Sequence, residues 1–283
     1  MVGKPYLRTV ALCARQEAVL AARSRSTQIF AVVFGGLSIA VAAAGYIFSG
    51  GSGIQDFART SASLMQLVLL LVPLTSLVMG VLALTPERAA AEILFSQPLS
   101  RSAVLLGTVL GLFEALVSAQ LLGLGAAGVI IFLRAGESGI LGFLMVAAGS
   151  IVLTVVFLSL AAAVASGRFG RRRIRALATA LALWVALALI FDVAVLAAAS
   201  LLRSGHASKL LIVSTLANPI DAVRTGSLLA IEGTAAFGSA SAALFRFTRG
   251  PAGAAALLAL SLTVWIAVPL GLAARRLSRI DIA

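Results

Sequence analysis

The chain has 283 residues, of which 61 % are hydrophobic and 11 % are charged, and it carries a formal net charge of +12. Soluble domains carry about a quarter charged residues, so this composition excludes an ordinary soluble domain and indicates a membrane protein. One cysteine and one histidine also exclude an intramolecular disulfide and a Cys/His metal site.

The first 27 residues form a charged segment, and two uncharged apolar runs follow it along the chain. These runs cover 28–48 and 64–84. At about 1.5 Å per residue, each run is long enough to cross a hydrocarbon core about 30 Å thick. They predict transmembrane spans one and two.

A compact polar segment, 85–102, separates span two from the next apolar run. Its start, Thr85–Arg88, offers a hydroxyl cap, a proline in the first helical turn and an acid near the positive end of the helix dipole. It therefore predicts a short helix over about 86–96, which Pro98 ends before Ser100 caps the next helix. From the residues alone, this segment is either a solvated turn or an interfacial helix that contacts a partner.

Four more apolar runs predict spans three to six. The six segments lack the period-two alternation of membrane β-strands and are rich in Ala, Leu and Gly, which suits close-packed helices. The predicted fold class is an all-α polytopic membrane protein with six transmembrane helices. The later four spans cover 103–133, 139–166, 176–202 and 252–273.

Two carboxylates lie inside the predicted spans, Glu114 in span three and Asp192 in span five. Glu114 lies about 16 Å from the start of its span, near the midplane, where a charge costs at least a few kcal/mol. Each acid is then either a substrate or gating residue, or a carboxyl hydrogen-bonded between helices. Glu114 shares one helical face with small residues, which predicts that this face packs against protein; they are Gly107, Gly111, Ser118 and Gly125.

The connection between spans five and six, 203–251, is too long for a simple turn. Asn218 and Pro219, followed by Asp221, have the pattern of a capped helix start. The connection also contains the apolar patches SLLAI and AALFRF, which need cover. We therefore predict an ordered extracytoplasmic helical lobe that docks on the spans or on an external partner.

Lysine and arginine are distributed unevenly between the two ends of the spans. Fifteen of the 22 lie on the side that holds both termini and the loops 85–102 and 167–175, which predicts that this side is cytoplasmic. These residues sit at span ends, so they suit anionic lipid headgroups and form no face of the size that nucleic acid needs. The only lysines, Lys4 and Lys209, belong to no phosphate-binding Gly-Lys loop, so any ATP must be hydrolysed by another chain.

The polar segment before span three resembles a signature of ABC-2 type exporter permeases. The matching residues are Pro86–Arg88, Glu92–Leu94, Gln97–Arg101 and Leu105–Gly107. The segment departs from that signature at Ala91 and Glu92, where the family has Gly-Thr, and at Thr108, where it has Lys. The amino-terminal stretch Arg15–Leu20 is similar to the interfacial elbow of the same family.

This resemblance implies a fold like that of type V ABC exporters. It implies an amphipathic elbow over 1–27 that includes Glu17, and a cytoplasmic coupling helix over 85–102 that contacts a separate ATPase. It also implies that this chain has no catalytic residue, metal or cofactor, and that ATP and Mg²⁺ bind to the ATPase. The coupling residues by this resemblance are Glu87, Arg88, Glu92, Pro98, Ser100 and Arg101.

A second stretch, Leu216–Arg224, resembles the outer loop of the NosY-like branch of these permeases, which serves the maturation of nitrous oxide reductase. That resemblance implies a homodimer in the bacterial inner membrane, paired with two copies of the ATPase. It also implies a periplasmic β-helical partner, with Asn218, Pro219, Asp221 and Arg224 as its contacts.

Other functions remain open at this point. Within the same family, the chain suits an exporter of drugs, peptides or lipids that has no periplasmic partner. A secondary transporter driven by protons through Glu114 and Asp192 is a different class, which internal repeats would favour, and the sequence has no visible repeat. An intramembrane enzyme would need a catalytic histidine motif or a cluster of metal ligands, and the sequence has neither.

Overall fold

The computed structural model describes residues 4–47, 54–85, 100–135, 140–202, 204–231, 247–248 and 250–278, and in these ranges it contains helices and turns but no strand. A 3-10 turn covers Arg168–Arg171, and a π turn, Ala186–Ile190, joins α6 to α7. The helices are α1 (Lys4–Arg23), α2 (Arg25–Ile47), α3 (Ile54–Leu84), α4 (Arg101–Ala135), α5 (Ile140–Ala165), α6 (Arg173–Val185), α7 (Phe191–Leu201), α8 (Ser204–Ala217), α9 (Pro219–Ile231) and α10 (Pro251–Ser278).

Among the described residues, six helical segments are long and apolar enough to cross a membrane. They are α2, α3, α4, α5, the continuous run from α6 to α7, and α10, and we number them as spans one to six. The predicted number of spans and the all-α polytopic class are confirmed, with boundaries within a few residues of those predicted. We call the side that holds both chain ends the terminal side and the opposite side the distal side.

Span four, α5, is the most buried of the six and forms the centre of the bundle. It packs against α3, α4, α9 and α10. A buried polar pair joins it to span three, because Gln120 Nε2 donates to Thr154 Oγ1 at 3.0 Å. The Thr154 hydroxyl in turn donates to the Ser150 carbonyl oxygen at 2.8 Å, so these polar groups are satisfied inside the bundle.

The amino-terminal helix α1 lies along the first part of α4. Tyr6 approaches Ser102 with 3.4 Å between their hydroxyl oxygens, and farther along both helices Gly111 lies against Ala14 and Glu17, so α1 and α4 run parallel. Gly107 permits the close approach between these two contacts. A Cβ at this position would overlap Cys13 and lie 2.9 Å from the Val10 carbonyl oxygen.

The chain bends at Ser24 between α1 and span one. The Ser24 hydroxyl oxygen accepts a hydrogen bond from the Thr27 N–H at 3.2 Å, which caps the start of α2. Farther along, span one crosses span three where Gly35 meets Gly123, and a Cβ on Gly123 would lie 2.8 Å from the Gly35 Cα. The bend therefore moves the chain from one face of α4 to another.

The predicted small-residue face of span three is only partly covered. Gly107 and Gly111 pack against α1, as expected, but Glu114 and Ser118 are exposed on the described chain and open space surrounds Gly125. The expectation that the whole face packs against protein is thus wrong for this single chain. The physical reason is that α1 ends at Arg23, after which α2 packs on a different face of α4.

The segment from 204 to 231 forms a helical hairpin, which we call the distal hairpin. Its first helix, α8, folds back along α7 and covers about 21 Å with its 14 residues. Its second helix, α9, returns toward the distal side and packs on span four, where a Cβ on Gly149 would lie 3.0 Å from Val223. Within the predicted lobe 203–251, the hairpin 204–231 is thus folded against the spans. Residues 232–246 lie outside the described residues.

Candidate functional site

A polar cluster lies at the turn of the distal hairpin, where it meets span five. We call it the hairpin joint; it consists of Leu187 and Asp192 of span five with Asn218, Asp221 and Arg224 of the hairpin. Leu187 lies 14 residues, or about 21 Å, from the distal end of span five at Leu201. The joint is therefore level with the middle of the span.

Asn218 is the most buried member of the hairpin joint, with 0 % of its surface exposed. Its side-chain oxygen accepts the Ile220 N–H at 3.0 Å and so caps α9, whose first residue is Pro219. The predicted capped helix start is confirmed. Its amide Nδ2 donates to the Leu187 carbonyl oxygen at 2.8 Å and to Asp221 Oδ2 at 3.3 Å.

The Leu187 carbonyl that binds Asn218 belongs to a π turn. At the end of this turn the Phe191 N–H pairs with the Ala186 carbonyl, five residues back instead of four. Such turns occur mostly as single insertions inside α-helices, and they are frequent at functional sites. Span five is therefore irregular at the position where the hairpin binds to it.

Arg224 holds two carboxylates with one nitrogen. Its Nη1 lies 3.0 Å from Asp192 Oδ2 and 2.9 Å from Asp221 Oδ1, and all three side chains are half-buried. Asp192 is thus an intramembrane acid whose counter-charge comes from the hairpin. Such pairing lowers the cost of placing a carboxylate at that depth.

The hairpin joint brings two acids to one arginine. The carboxyls of Asp192 and Asp221 both lie within hydrogen-bonding distance of Arg224 Nη1. Two neighbouring acids with one arginine cannot both ionise at low cost.

Span six also binds the turn of the hairpin. The Leu216 carbonyl oxygen accepts the Ser261 hydroxyl at 2.7 Å and the Trp265 indole N–H at 3.3 Å. Trp265 lies 14 residues, or about 21 Å, from the distal end of span six at Pro251. Spans five and six thus hold the same turn from two sides at the same depth.

A second feature lies on the terminal side, around the start of α4. The Arg101 guanidinium approaches the Leu277 carbonyl oxygen at 3.5 Å, and the Ser100 carbonyl accepts the first N–H bonds of α4. A cavity of about 80 Å³ lies beside Arg101, between the terminal ends of α3, α4, α5 and α10. The end of α3 and the start of α4, between which the predicted coupling segment lies, therefore meet α5 and α10 at one place.

Comparisons with known proteins place this fold in a family. A family model described as ABC-2 family transporter protein matches residues 11–282. The chain belongs to the ABC-2 transporter family. It is 33 % identical over 269 residues to the "Probable ABC transporter permease protein NosY" of Pseudomonas aeruginosa, and 34 % identical over 267 residues to a protein of the same name from Stutzerimonas stutzeri. Each match covers 92 % of this chain and 94 % of the relative.

As an ABC-2 permease, the chain is the multi-pass membrane subunit of an ABC transporter, and membership of the family implies an ATPase partner. The residues that the resemblance assigns to ATPase coupling are only partly described. Ser100 and Arg101 lie at the start of α4, whereas Glu87, Arg88, Glu92 and Pro98 lie outside the described residues. Their coupling role stays a prediction.

In the permease, the predicted partner contacts point largely into the protein. Asn218 is fully buried, and Asp221 and Arg224 bind each other and Asp192. Sequence reasoning missed the pairing of Asp192 with Arg224. The sequence does contain an acid inside a span and a base beside a helix cap, but 31 residues lie between them along the chain. Only the folded hairpin brings the two side chains together.

The other predicted site residues of the permease lie apart from the hairpin joint. Glu17 is half-buried on α1 against Gly111, and burial raises the pKa of its carboxyl. Glu114 is exposed on span three, where its carbonyl oxygen accepts the Ser118 hydroxyl at 2.7 Å. Among the described residues, no group of three His, Cys, Asp or Glu side chains could hold a metal ion.

Proposed function

We propose that this chain is the permease of an ATP-driven transporter that serves the maturation of nitrous oxide reductase, a periplasmic metalloenzyme. The observation that carries the proposal is the similarity to two NosY permeases, which extends over 92 % of the chain and includes the segment Leu216–Arg224. The permease is a homodimer in the bacterial inner membrane, with both termini in the cytoplasm, and it works with two copies of a separate ATPase.

On the cytoplasmic side, the ATPase docks on the segment 85–102 and binds the ATP and Mg²⁺. The packing at the start of α4 supports this arrangement, because a displacement of the segment reaches Arg101 directly. Next to this point, α1 is held against Gly107 and Gly111 without space between the helices. A push on the segment is therefore transmitted to α1 and α4 as one body. This chain contributes no covalent catalysis.

On the periplasmic side, the connection 203–251 meets the β-helical partner. Asn218, Pro219, Asp221 and Arg224 serve this contact by holding the distal hairpin in place. The outer part of α8, nearest the distal side, is then the surface offered to the partner, and it exposes His206 and Lys209.

Two copies of the permease form the dimer through apolar faces that one chain leaves uncovered. Spans five and six are the least buried of the six, and span five exposes Leu189, Val193 and Leu196. Such faces are covered either by lipid or by a second copy. Two copies also provide one docking segment for each of the two ATPase subunits.

The function is tested by replacing the resident permease in a denitrifying host with this chain. We expect nitrous oxide reductase activity to return, and a chain with Arg88→Glu and Glu92→Arg serves as the uncoupled control. If the chain is made and inserted but the reductase stays inactive, the assignment to nitrous oxide reductase fails. A drug, peptide or lipid exporter of the same family would then be the remaining interpretation.

The partner contact is tested separately with Lys209→Glu, because Lys209 is exposed on the outer part of α8 and lies outside the hairpin joint. We expect this variant to lose the periplasmic protein in co-purification and to keep the ATPase. The matched control is Arg15→Glu, which makes the same reversal of charge on an exposed residue of α1. Retention of the periplasmic protein by Lys209→Glu would remove the exposed side of α8 from the contact.

A further inference from the structure

The hairpin joint makes two contacts with span five, which we call ties. One lies inside the π turn and the other lies just beyond its end. The first is the bond from Asn218 Nδ2 to the Leu187 carbonyl oxygen, inside the turn. The second is the ion pair of Arg224 with Asp192, which lies just beyond the turn. Because the ties attach to opposite ends of one irregular turn, the winding of that turn decides whether both can form together.

The geometry of helices links the two ties. An α-helix advances by about 100° per residue, and a π turn accommodates one residue more than an α-helical turn. If Ala186–Ile190 rewound into α-helix without losing a residue, all of α7 would rotate by about 100° relative to α6. Asp192 would then leave Arg224, and the Leu187 carbonyl would return to ordinary α-helical pairing.

The hairpin has an attachment that does not depend on this winding. The Leu216 carbonyl is held by Ser261 and Trp265 of span six, and α9 packs on span four through Gly149. Release from span five would therefore leave the hairpin folded and bound to the rest of the bundle. The hairpin therefore has contacts with spans four and six that do not depend on the winding, and contacts with span five that do. An element with two alternative conformations needs both kinds of contact.

We propose that the π turn of span five and the distal hairpin form a conformational latch. While Asn218 and Arg224 bind span five, the turn stays π-wound; when they release it, the turn rewinds to α-helix and α7 rotates. The latch is a property of this chain alone. Its use, to pass motion between the membrane and the surface of the hairpin, rests on the transport function proposed above.

Spin labels on span five test the rewinding directly. The labels are placed at Ile174 and Val193, which are exposed on α6 and α7, in a Cys13→Ser background that removes the one native cysteine. Asn218→Ser keeps a good helix cap but is too short to reach Leu187. We expect pulsed electron paramagnetic resonance to show one distance in the parent chain and a second population, displaced by several Å, in Asn218→Ser.

A deletion provides the matched control for this substitution. Removing Ala188 makes the turn α-helical while α7 keeps its face toward Arg224, so we expect a single distance close to that of the parent chain. Adding Asn218→Ser to the deletion is expected to leave that distance unchanged, because the surplus residue is gone. A second population in the double variant, or none in Asn218→Ser alone, would overturn the latch.

Amide hydrogen exchange of residues 204–231 gives a second readout on the purified permease without its ATPase. We expect Asn218→Ser and the Ala188 deletion each to raise exchange of the hairpin by up to about tenfold, and the double variant to raise it no further, because both remove the same bond. Ser214→Ala is the control, since that hydroxyl bonds only its own helix at Leu211. Multiplicative effects of the two changes would contradict the latch.

The role in transport is tested last, with the ATPase and a non-hydrolysable ATP analogue added to the spin-labelled chain. We expect the analogue to produce the second distance in the parent chain and to have no effect in the Ala188 deletion. If both earlier measurements succeed and the analogue has no effect on the parent chain, the latch stands and its link to ATP-driven transport is refuted.

Discussion

At the scale of single residues, the two glycines at one helix crossing differ in how much space a side chain would have. Where spans one and three cross, a Cβ on Gly35 would lie 3.5 Å from the Gly123 Cα, which is an ordinary contact. A Cβ on Gly123 would lie 2.8 Å from the Gly35 Cα and 3.1 Å from Phe34, which no real side chain tolerates without movement. Close packing at this crossing thus requires glycine at Gly123 but not at Gly35.

We therefore expect Gly123→Ala to destabilise the permease by about 1–3 kcal/mol, because extra volume in a packed contact forces the helices apart. Gly35→Ala should leave stability nearly unchanged. Thermal unfolding of both variants in the same detergent compares them directly. Equal losses for the two substitutions would contradict the asymmetry between the two glycines at this crossing.

Glu17 provides a pH-dependent prediction. Burial raises the pKa of its carboxyl above the usual 4.5, so ionisation of Glu17 lowers the stability of the fold as the pH rises from that value toward the raised pKa. We expect Glu17→Gln to raise the unfolding temperature at neutral pH and to have no effect below the usual pKa. A gain that persists at low pH would indicate packing, and not charge, as the cause.

Glu114 is exposed on a face of span three, and a substitution that removes its titratable proton tests its function. Glu114→Gln preserves shape and hydrogen bonding, so we expect transport to be lost if Glu114 carries a proton or cation and kept if the carboxyl is structural. We predict loss, measured as nitrous oxide reductase activity in the replacement host. Ser118→Ala, one turn away on the same face, is the control. Full activity in Glu114→Gln would leave only a packing role.

At the scale of elements, the coupling segment and α1 meet on α4. The segment 85–102 ends in the first turn of α4, and α1 lies against the ten or so residues of α4 that follow, with Gly107 and Gly111 in contact. A helix pair that packs without a gap moves as a unit, because close-packed interfaces resist deformation. If the ATPase docks at the segment as proposed, it acts on α1 as well as on span three.

We expect the exchange of charges at Arg88 and Glu92 to lower ATPase association by at least tenfold, since the contact is predicted to be polar and exposed. The pair keeps its own attraction when both charges are reversed, so the segment is expected to stay helical. Co-purification with the ATPase measures the effect, and Arg15→Glu on α1 is the control. Undiminished association would support the solvated-turn interpretation of 85–102.

At the scale of the whole molecule, six spans place both chain ends on one side, and the distal hairpin lies on the other. The arginine-rich connection that includes Arg172 and Arg175 belongs to the terminal side. Positive charge is retained in the cytoplasm during insertion, so this side is predicted to be cytoplasmic. The exposed faces of spans five and six then lie within the bilayer, in contact with lipid or a second copy.

Reporter fusions at Gly170 and Ser204 test this orientation. We expect an enzyme that is active only in the cytoplasm to work at Gly170 and to fail at Ser204, and a periplasmic reporter to show the reverse. The two positions flank span five, so they must differ if it crosses the membrane. The same sidedness at both positions would refute the six-span topology.

The class, the number of spans and the cap of α9 follow from the amino-acid sequence alone. Each of these is a local property: twenty apolar residues in a row need a bilayer, and Asn218 before Pro219 and Asp221 bonds its own helix. The family could be read from a contiguous motif for the same reason. No distant residue had to be placed for any of these conclusions.

What the polar residues bind depends on how distant segments of the chain fold together. Asp192 and Arg224 are far apart along the chain, and they pair because α8 folds back by about 21 Å to the middle of span five. The π turn that receives Asn218 has no signature in ALALI, a stretch that regular α-helix would suit equally well. Such a turn persists because a partner from another segment binds it, and a partner of that kind is fixed by packing and not by neighbouring residues.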